Sequence, residues 1–268
     1  MINLCTKDWE INNIETILFD KDGTFIDLHY FWGQMTELRV KEIIKRFNKN
    51  NEIFEQLCLC LGYNPKTGKM LSDGITALYS RSKIIDIFKY DLKKYDIYTT
   101  DIELEEIFDY VSNIFYENMQ KYTKPITEAI EFIKKVRALG IKTGIVTSDA
   151  KKSTDLTIKH FQWENLFDVV IGRESSTETK ESGIPTKMAL RELNANPKTT
   201  VMIGDAPMDF ISAKNAGIEK TILVATGQID ENKLKETSQY TISKLDKIEI
   251  KKKDPLSWVF FFICTSFI

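Results

Sequence analysis

Short apolar stretches recur along the chain, and helical patterns separate them in its second half. The stretches are TILF (16–19), KTGIVT (142–147), FDVVIG (167–172), TTVMIG (199–204) and KTILVA (220–225). Short continuous apolar runs rich in β-branched and aromatic residues predict buried strands. Strands that alternate with helices indicate a parallel sheet covered on both faces.

The segments between these strands carry helix signals of two kinds. ITEAIEFIKKVRALG (126–140) repeats its apolar residues at helical spacing and ends in Gly140, and DFISAKNAG (209–217) also ends in glycine. PTKMALRELN (185–194) begins with Pro185, which is favoured in a first helical turn. The second half therefore predicts an α/β fold, a Rossmann-like three-layer core around a parallel sheet.

A long helical segment interrupts this pattern after the first strand. Between Asp27 and Lys124 the signals are mostly helical, apart from the loop GYNPKTGKMLSDG (62–74). Nearly a hundred residues is too long for a loop in a compact fold, so the segment predicts an inserted helical domain. The predicted division is listed in chain order as core 1–27, helical insertion 28–124, core 125–250 and an apolar C-terminal tail 251–268.

Composition narrows the class of protein. The chain has 268 residues, of which 43% are hydrophobic and 28% charged, so it can bury a core. A formal charge of -2 gives no reason to expect nucleic-acid binding. The four cysteines (Cys5, Cys58, Cys60 and Cys264) match no zinc spacing, and the N-terminus carries no long apolar run typical of a signal peptide. Reduced thiols and a cytoplasmic location are expected, as a monomer or homodimer.

The C-terminal tail leaves two interpretations open. After three lysines, the apolar run from Leu256 to Ile268 is shorter than the roughly 20 residues that span a bilayer. It could pack on the domain surface or form a poorly ordered end. Alternatively, an apolar segment behind a basic cluster could associate weakly with a membrane.

Polar side chains directly follow three of the predicted strands. They are Asp20, Asp22, Thr147, Ser148, Asp205 and Asp209. Ligands of open α/β sheets bind outside the carboxyl ends of the strands, so these residues predict one composite site. DKDG (20–23) alone would be ordinary turn chemistry, but a second GD…D after another buried strand favours a functional site.

Paired carboxylates at a strand end suit phosphoryl transfer. Asp20 leaves the strand first and is the candidate nucleophile, forming an aspartyl-phosphate. Asp22 is the candidate general acid and base. Gly23 and Thr24 would let the backbone turn close to a bound phosphate.

Several carboxylates beside a phosphate would repel it, which predicts a divalent cation. Mg²⁺ prefers oxygen ligands, and Asp20, Asp205 and the backbone carbonyl of Asp22 are the candidates. Asp209 would bind the metal or orient one of its ligands.

These motifs resemble the phosphatase branch of the haloacid dehalogenase superfamily. Its D-x-D-G-T motif corresponds to DKDGT (20–24), its second motif to GIVT ending in Thr147, and its G-D-x-x-x-D motif to residues 204–209. The resemblance implies a phosphoglycolate phosphatase-like enzyme with a helical cap of the C1 type. The insertion 28–124 would be that cap, as in phosphoglycolate phosphatases and β-phosphoglucomutases.

The resemblance also implies a lysine that holds the phosphate and offsets the charge of Asp20. Lys180 and Lys187 compete; Lys180 is favoured because it lies 25 residues before Asp205, although KESG (180–183) replaces the usual K-P-x-P. Thr147 would donate a hydrogen bond to a phosphoryl oxygen, with Ser148 beside it. Three cap residues (Lys66, Lys69 and Arg81) could meet a second anionic group of the substrate, or simply be solvated.

The expected function is a Mg²⁺-dependent phosphomonoester hydrolase that acts on a small phosphorylated metabolite. A phosphomutase of the β-phosphoglucomutase type would use the same residues, and a catalytically silent binding protein on the same fold is the third alternative.

Overall fold

A computed structural model describes residues 1–252 of the chain. Its strands are β1 (Ile2–Cys5), β2 (Glu10–Ile14), β3 (Thr16–Phe19), β4 (Tyr63–Asn64), β5 (Lys69–Met70), β6 (Lys142–Val146), β7 (Val169–Ile171), β8 (Thr200–Gly204), β9 (Lys220–Val224), β10 (Thr241–Ile242) and β11 (Glu249–Lys252). Its α-helices are α1 (Leu28–Arg46), α2 (Phe54–Cys60), α3 (Ile75–Leu78), α4 (Arg81–Leu92), α5 (Asp101–Glu117), α6 (Met119–Tyr122), α7 (Thr127–Ala138), α8 (Lys151–His160), α9 (Ile184–Glu192), α10 (Pro207–Asn215) and α11 (Glu231–Lys235).

A six-stranded parallel sheet forms the centre of the molecule. The strand order is β10-β9-β8-β3-β6-β7, with β3 between β6 and β8. Phe19 aligns with Ile145 on one neighbour and Ile203 on the other, so the ends of the three strands lie side by side. The predicted parallel sheet is confirmed, and all five apolar stretches of the sequence analysis contribute strands to it.

The two faces of the sheet pack against different helices because successive strand residues point to opposite faces. Ile17 and Phe19 of β3 belong to a core that includes residues from α7 and α8. Leu18 belongs to a second core with residues from α9 and α10. The Rossmann-like three-layer arrangement is thus confirmed.

A small antiparallel sheet, with strand order β11-β1-β2, was not predicted. Its middle strand β1 is short, and β2, with the sequence EINNI, buries only Ile11 and Ile14. Such polar and brief segments lack the apolar run that identified the other strands. The apolar residues of this sheet nevertheless join the same core as α7.

The inserted segment has an apolar cluster of its own. Val40 and Ile43 of α1 pack with Phe88 of α4 and with Leu104 and Phe108 of α5. A short ribbon of β4 and β5 lies inside the predicted loop 62–74. The separate cluster supports the proposed division into core and cap.

The chain passes between core and cap at two adjacent points. The backbone N–H of Asp27 donates to the carbonyl of Lys124 at 2.8 Å, and that of Ile126 donates to the carbonyl of Phe25 at 2.9 Å. The side chain of Asp27 also caps α1 by accepting from the Tyr30 N–H. The two connections therefore lie side by side, next to the DKDGT turn.

Within residues 1–252, none of the helices combines the length and apolar character needed to cross a bilayer. The apolar run that the sequence analysis singled out, Leu256 to Ile268, lies outside the described residues, as does Cys264.

Candidate active site

The DKDGT segment leaves the sheet as a tight turn at the end of β3. The Asp20 N–H donates to the carbonyl of Ile203 at 2.8 Å, which keeps Asp20 in line with β8. The Lys21 carbonyl then accepts from the N–H groups of residues 24, 25 and 26. Gly23 has φ +87°, a conformation that glycine adopts without strain. The turn therefore delivers Asp20 and Asp22 to the carboxyl end of the sheet.

Three buried carboxylates converge there. One oxygen from each of Asp20, Asp205 and Asp209 lies within 4.8 Å of the others. Asp205 follows β8 directly. Asp209 lies in the first turn of α10, where its Oδ2 accepts from the Ala206 N–H at 3.0 Å. The structure brings together the two strand ends that the sequence analysis had linked.

Lys180 neutralises part of this cluster. Its Nζ lies 2.6 Å from Asp20 Oδ1 and 2.5 Å from Asp209 Oδ1, and the residue is only 6% exposed. Lys187, the competing lysine, is exposed on α9. Of the two, Lys180 is the one that the fold places beside Asp20.

Glycines make room for these carboxylates. A Cβ added at Gly23 or at Gly227 would overlap the Asp205 carboxylate, and one at Gly204 would overlap that of Asp209. The loop of Gly227 is tied to the DKDGT turn by Thr226, whose hydroxyl donates to the Gly23 carbonyl at 2.5 Å. Backbone thus surrounds Asp205 closely, with no space for a further side chain.

The cluster carries excess negative charge. Burial raises the pKa of Asp20 to about 7; Lys180 lowers this pKa and Asp209 raises it. Burial and the charges of Asp20 and Asp209 raise the pKa of Asp205 as well. Three carboxylates and one ammonium, all ionised, leave two negative charges in excess. Oxygen ligands and this charge fit a divalent cation such as Mg²⁺.

Asp22 belongs to a second group of charges. Its Oδ1 lies 2.5 Å from Nζ of Lys21, and the same Nζ lies 3.0 Å from Oδ2 of Asp149. Burial raises the pKa of Asp22, whereas Lys21 and a hydrogen bond from the Trp32 side chain lower it. Asp22 is thus held by its own lysine, separately from Asp20.

The other predicted site residues differ in accessibility. Thr147 is buried at the end of β6, and its Oγ1 accepts from the Asp149 N–H at 3.1 Å, which leaves its hydroxyl proton available. Ser148 is exposed, with Oγ 3.6 Å from Met208 Sδ. The Thr24 side chain is fully buried, and its Oγ1 has no hydrogen-bond partner among residues 1–252.

The cap contacts the site through α1 and the β4–β5 ribbon. Trp32 packs against both the core cluster and the cap cluster. His29 Nδ1 accepts from the Met70 N–H at 3.1 Å. Gln228 Nε2, next to Gly227, donates to the Leu71 carbonyl at 3.1 Å. The loop that borders Asp205 therefore also touches the cap.

Two of the three cap cations considered as substrate ligands are paired elsewhere. Lys66 pairs with Glu55, and Arg81 with Glu105 and Asp109. Lys69 is exposed. A further cap cation, Arg39, is buried against the Phe108 ring, and the sequence analysis did not consider it.

The sequence analysis also missed three residues around the carboxylates. Lys21 stands inside the motif, and a lysine between two strand-end aspartates could have been recognised as a buried counter-charge. Asp149 follows Thr147 and Ser148 in TSD (147–149). Thr226 follows β9, so the rule that found the other strand-end residues would have found it too.

The chain is similar to several known proteins. A family model described as "Haloacid dehalogenase-like hydrolase" matches residues 17–224. A protein of Bacillus mycoides named pyrophosphatase PpaX is 26% identical over 214 residues, which cover 79% of this chain and 84% of the relative. A protein of Aquifex aeolicus named phosphoglycolate phosphatase is 24% identical over 231 residues, covering 86% of this chain and 93% of the relative.

Solved structures show the same fold. A HAD-superfamily hydrolase, subfamily IA, from Geobacter sulfurreducens has a TM-score of 0.60 at 16% identity, covering 88% of this chain and 94% of its own. A β-phosphoglucomutase from Clostridium difficile has a TM-score of 0.57 at 16% identity, covering 87% of this chain and 92% of its own.

Proposed function

Because this chain belongs to the haloacid dehalogenase-like hydrolase family, we propose that its carboxylate site hydrolyses phosphate monoesters of small metabolites with the help of Mg²⁺. Relatives are named as phosphatases, which supports a phosphatase here. The observation that carries the proposal is the buried cluster of Asp20, Asp205 and Asp209 with Lys180 at the carboxyl end of β3 and β8.

The first step would transfer the phosphoryl group to the protein. A carboxylate oxygen of Asp20 attacks phosphorus and forms a P–O bond, while the bond from phosphorus to the leaving oxygen breaks. Asp22, protonated at this stage, gives its proton to that oxygen, and a neutral alcohol departs. Burial raises the pKa of Asp22, which favours a protonated carboxyl at this position.

The second step would regenerate the carboxylate. A water molecule attacks the aspartyl-phosphate, and the now ionised Asp22 takes its proton. The P–O bond to Asp20 breaks, phosphate leaves, and Asp22 is protonated for the next cycle. Lys180 stabilises negative charge on Asp20 and on the phosphoryl oxygens, and Thr147 donates a hydrogen bond to one of those oxygens.

The donor set fits a resident Mg²⁺. The carboxylates of Asp20 and Asp205 and the backbone carbonyl of Asp22 would hold it, with Asp209 as a ligand or as support for one. When bound, the cation neutralises charge on the phosphoryl oxygens.

The buried guanidinium of Arg39 is an argument for a substrate with a second anionic group. It is 6% exposed, it stacks 4.1 Å from the Phe108 ring, and no residue in 1–252 forms a hydrogen bond or ion pair with it. Burial and then the neighbouring charge of Arg81 lower the pKa of its guanidinium to about 9, whereas Tyr116, Glu105 and, least of all, Asp149 raise it. A buried cation without a counter-ion is costly, and a carboxylate or second phosphate on the substrate would satisfy it. Phosphoglycolate-like compounds have this form, and so does inorganic pyrophosphate, the second candidate because of the relatives named pyrophosphatase.

The test is phosphate release from p-nitrophenyl phosphate and a panel of phosphorylated metabolites with Mg²⁺ and with EDTA. We expect activity that EDTA abolishes and Mg²⁺ restores. Asp20→Asn should lower kcat by at least about a thousandfold without a large change in Tm, because the amide is a poor nucleophile.

Asp246→Asn, an exposed aspartate of the core, is the matched control and should behave as wild type. A wild-type protein that binds phosphorylated compounds without turning them over would favour the silent alternative. Interconversion of sugar phosphates without release of phosphate would favour a phosphomutase.

A further inference from the structure

Lys21 is a fully buried lysine between the two aspartates of the DKDGT turn. Its Nζ contacts Asp22 Oδ1 at 2.5 Å and Asp149 Oδ2 at 3.0 Å, and it lies 4.2 Å from the centroid of the Phe31 ring. Burial works against the charged ammonium, but Asp149 and Asp22 outweigh this and raise the pKa of Lys21. The ammonium is therefore charged and fixed by its surroundings.

Asp149 is fixed in turn by the end of the sheet. Its Oδ1 accepts from the Ala150 N–H at 2.7 Å, and its own N–H donates to Thr147 Oγ1 at 3.1 Å. The Thr147 N–H donates to the carbonyl of Ile171 at 3.0 Å. A chain of short contacts thus runs from β6 and β7 through Asp149 and Lys21 to Asp22.

This arrangement separates the two acids of the motif. Lys180 holds Asp20, and Lys21 holds Asp22. A general acid must lie within hydrogen-bond reach of the leaving oxygen, and displacement by about 1 Å can cost around a hundredfold in rate. We propose that Lys21 and Asp149 are positioning residues that hold the carboxyl of Asp22 where it protonates the leaving group. The proposal rests on the proposed phosphatase function.

The dependence of rate on the leaving group tests this directly. kcat/KM for ester hydrolysis reports the steps up to departure of the alcohol and excludes later hydrolysis of the aspartyl-phosphate. p-Nitrophenolate is a stable anion and leaves without being protonated. The oxygen of a simple alkyl ester must instead receive a proton as it leaves. A series from p-nitrophenyl phosphate to a simple alkyl phosphate therefore measures how well Asp22 donates.

In Lys21→Met, which keeps the apolar stem, kcat/KM for the alkyl phosphate should fall about 10- to 100-fold. The value for p-nitrophenyl phosphate should change less than about threefold, because that ester needs no proton donor. Asp22→Asn supplies the reference for a missing acid and should show the same steepened dependence. Asp149→Asn should steepen the dependence of kcat/KM on the leaving group in the same direction, but to a smaller extent. If Lys21→Met does not fold, the Asp149→Asn variant is sufficient for the test.

Two further variants separate positioning from charge balance and from folding. Lys21→Met combined with Asp149→Asn removes one charge of each sign, so the local net charge is unchanged, and the dependence should stay steep. Lys142→Met, at the opposite end of the sheet, should leave the leaving-group dependence of the wild-type protein unchanged.

A uniform loss over the whole series in both Lys21→Met and Asp149→Asn, or recovery of the wild-type dependence in the double variant, would overturn the proposal. Failure of the phosphatase function itself would look different, since the wild-type protein would then release no phosphate from any ester.

Discussion

At the scale of single residues, the site is defined by close contacts that leave little room. Asp205 lies against two glycines, Gly23 and Gly227, and Lys180 bridges Asp20 and Asp209 at 2.6 and 2.5 Å. Carboxylates packed this tightly cannot shift without changing the spacing of their oxygens. Small changes in the surrounding backbone should consequently affect chemistry more than stability.

Gly227→Ala tests this. The φ of Gly227 lies outside the left-handed region, so alanine can adopt its backbone conformation, but the new methyl group would overlap the Asp205 carboxylate. We expect kcat/KM to fall at least about tenfold, because displacing a reacting group by about 1 Å can cost that much in rate. Tm should change only slightly. Enzyme kinetics and thermal unfolding measure the two effects.

The matched control is Gly140→Ala. Gly140 has φ +78° and no atom within 4 Å of an added Cβ, so its substitution strains the backbone away from the site. It should lower Tm and leave kcat/KM unchanged. Equal kinetic behaviour of the two variants would argue against crowding of Asp205.

At the scale of elements, helix α1 connects the cap to the candidate active site. Asp27 caps its N-terminus at the connection between core and cap, and Trp32, five residues later, packs against both the core cluster and the cap cluster. Arg39 lies seven residues beyond Trp32, which is about two turns along the same face. Its guanidinium lies 4.1 Å from the centroid of the Phe108 ring.

Arg39→Met should therefore alter substrate preference. The methionine keeps apolar contact with Phe108 but removes the cation. KM for 2-phosphoglycolate or pyrophosphate should rise about tenfold, which corresponds to losing one charge-assisted hydrogen bond of roughly 1.5 kcal/mol. KM for p-nitrophenyl phosphate, which has no second anionic group, should not change.

Arg81→Met is the control, because Arg81 also lies near the Phe108 ring but pairs with Glu105 and Asp109. It should leave both KM values unchanged. An equal rise in KM for all substrates in Arg39→Met would show that the arginine only supports the cap.

At the scale of the whole molecule, the fold concentrates like charges at one end of the sheet. Asp20, Asp205 and Asp209 come from two strand ends and one helix, and all are buried. The folded state brings these carboxylates together, whereas the unfolded chain separates them. A divalent cation that binds only the folded state should offset this cost and stabilise the protein.

Thermal unfolding with and without Mg²⁺ measures this effect. Saturation at about 100 times Kd contributes about 2.7 kcal/mol, which should raise Tm by several degrees. Asp205→Asn should lose most of the shift. In EDTA, the variant should be at least as stable as wild type, because one buried negative charge is gone.

Asp246→Asn should retain the full shift, as an exposed carboxylate outside the cluster. An identical response of wild type and Asp205→Asn to Mg²⁺ would mean that the cation binds elsewhere.

Part of this molecule could be predicted from the sequence. The strand TILF (16–19) is β3 residue for residue, and the other four apolar stretches each contain a strand. The antiparallel sheet of β1, β2 and β11 could not be predicted, because its strands are short and β2 is largely polar. Burial at those strands comes from the apolar core that they share with several other elements, and not from local sequence.

What the sequence determined by itself is the order of buried strands and which acidic residues follow them, since periodicity and turn residues act over a few neighbouring positions. Only the tertiary structure decided which charges meet. Lys180 reaches Asp20, and Asp149 reaches Lys21, across more than a hundred residues of intervening chain. Such pairs depend on how strands and helices pack, and local sequence patterns do not predict that packing.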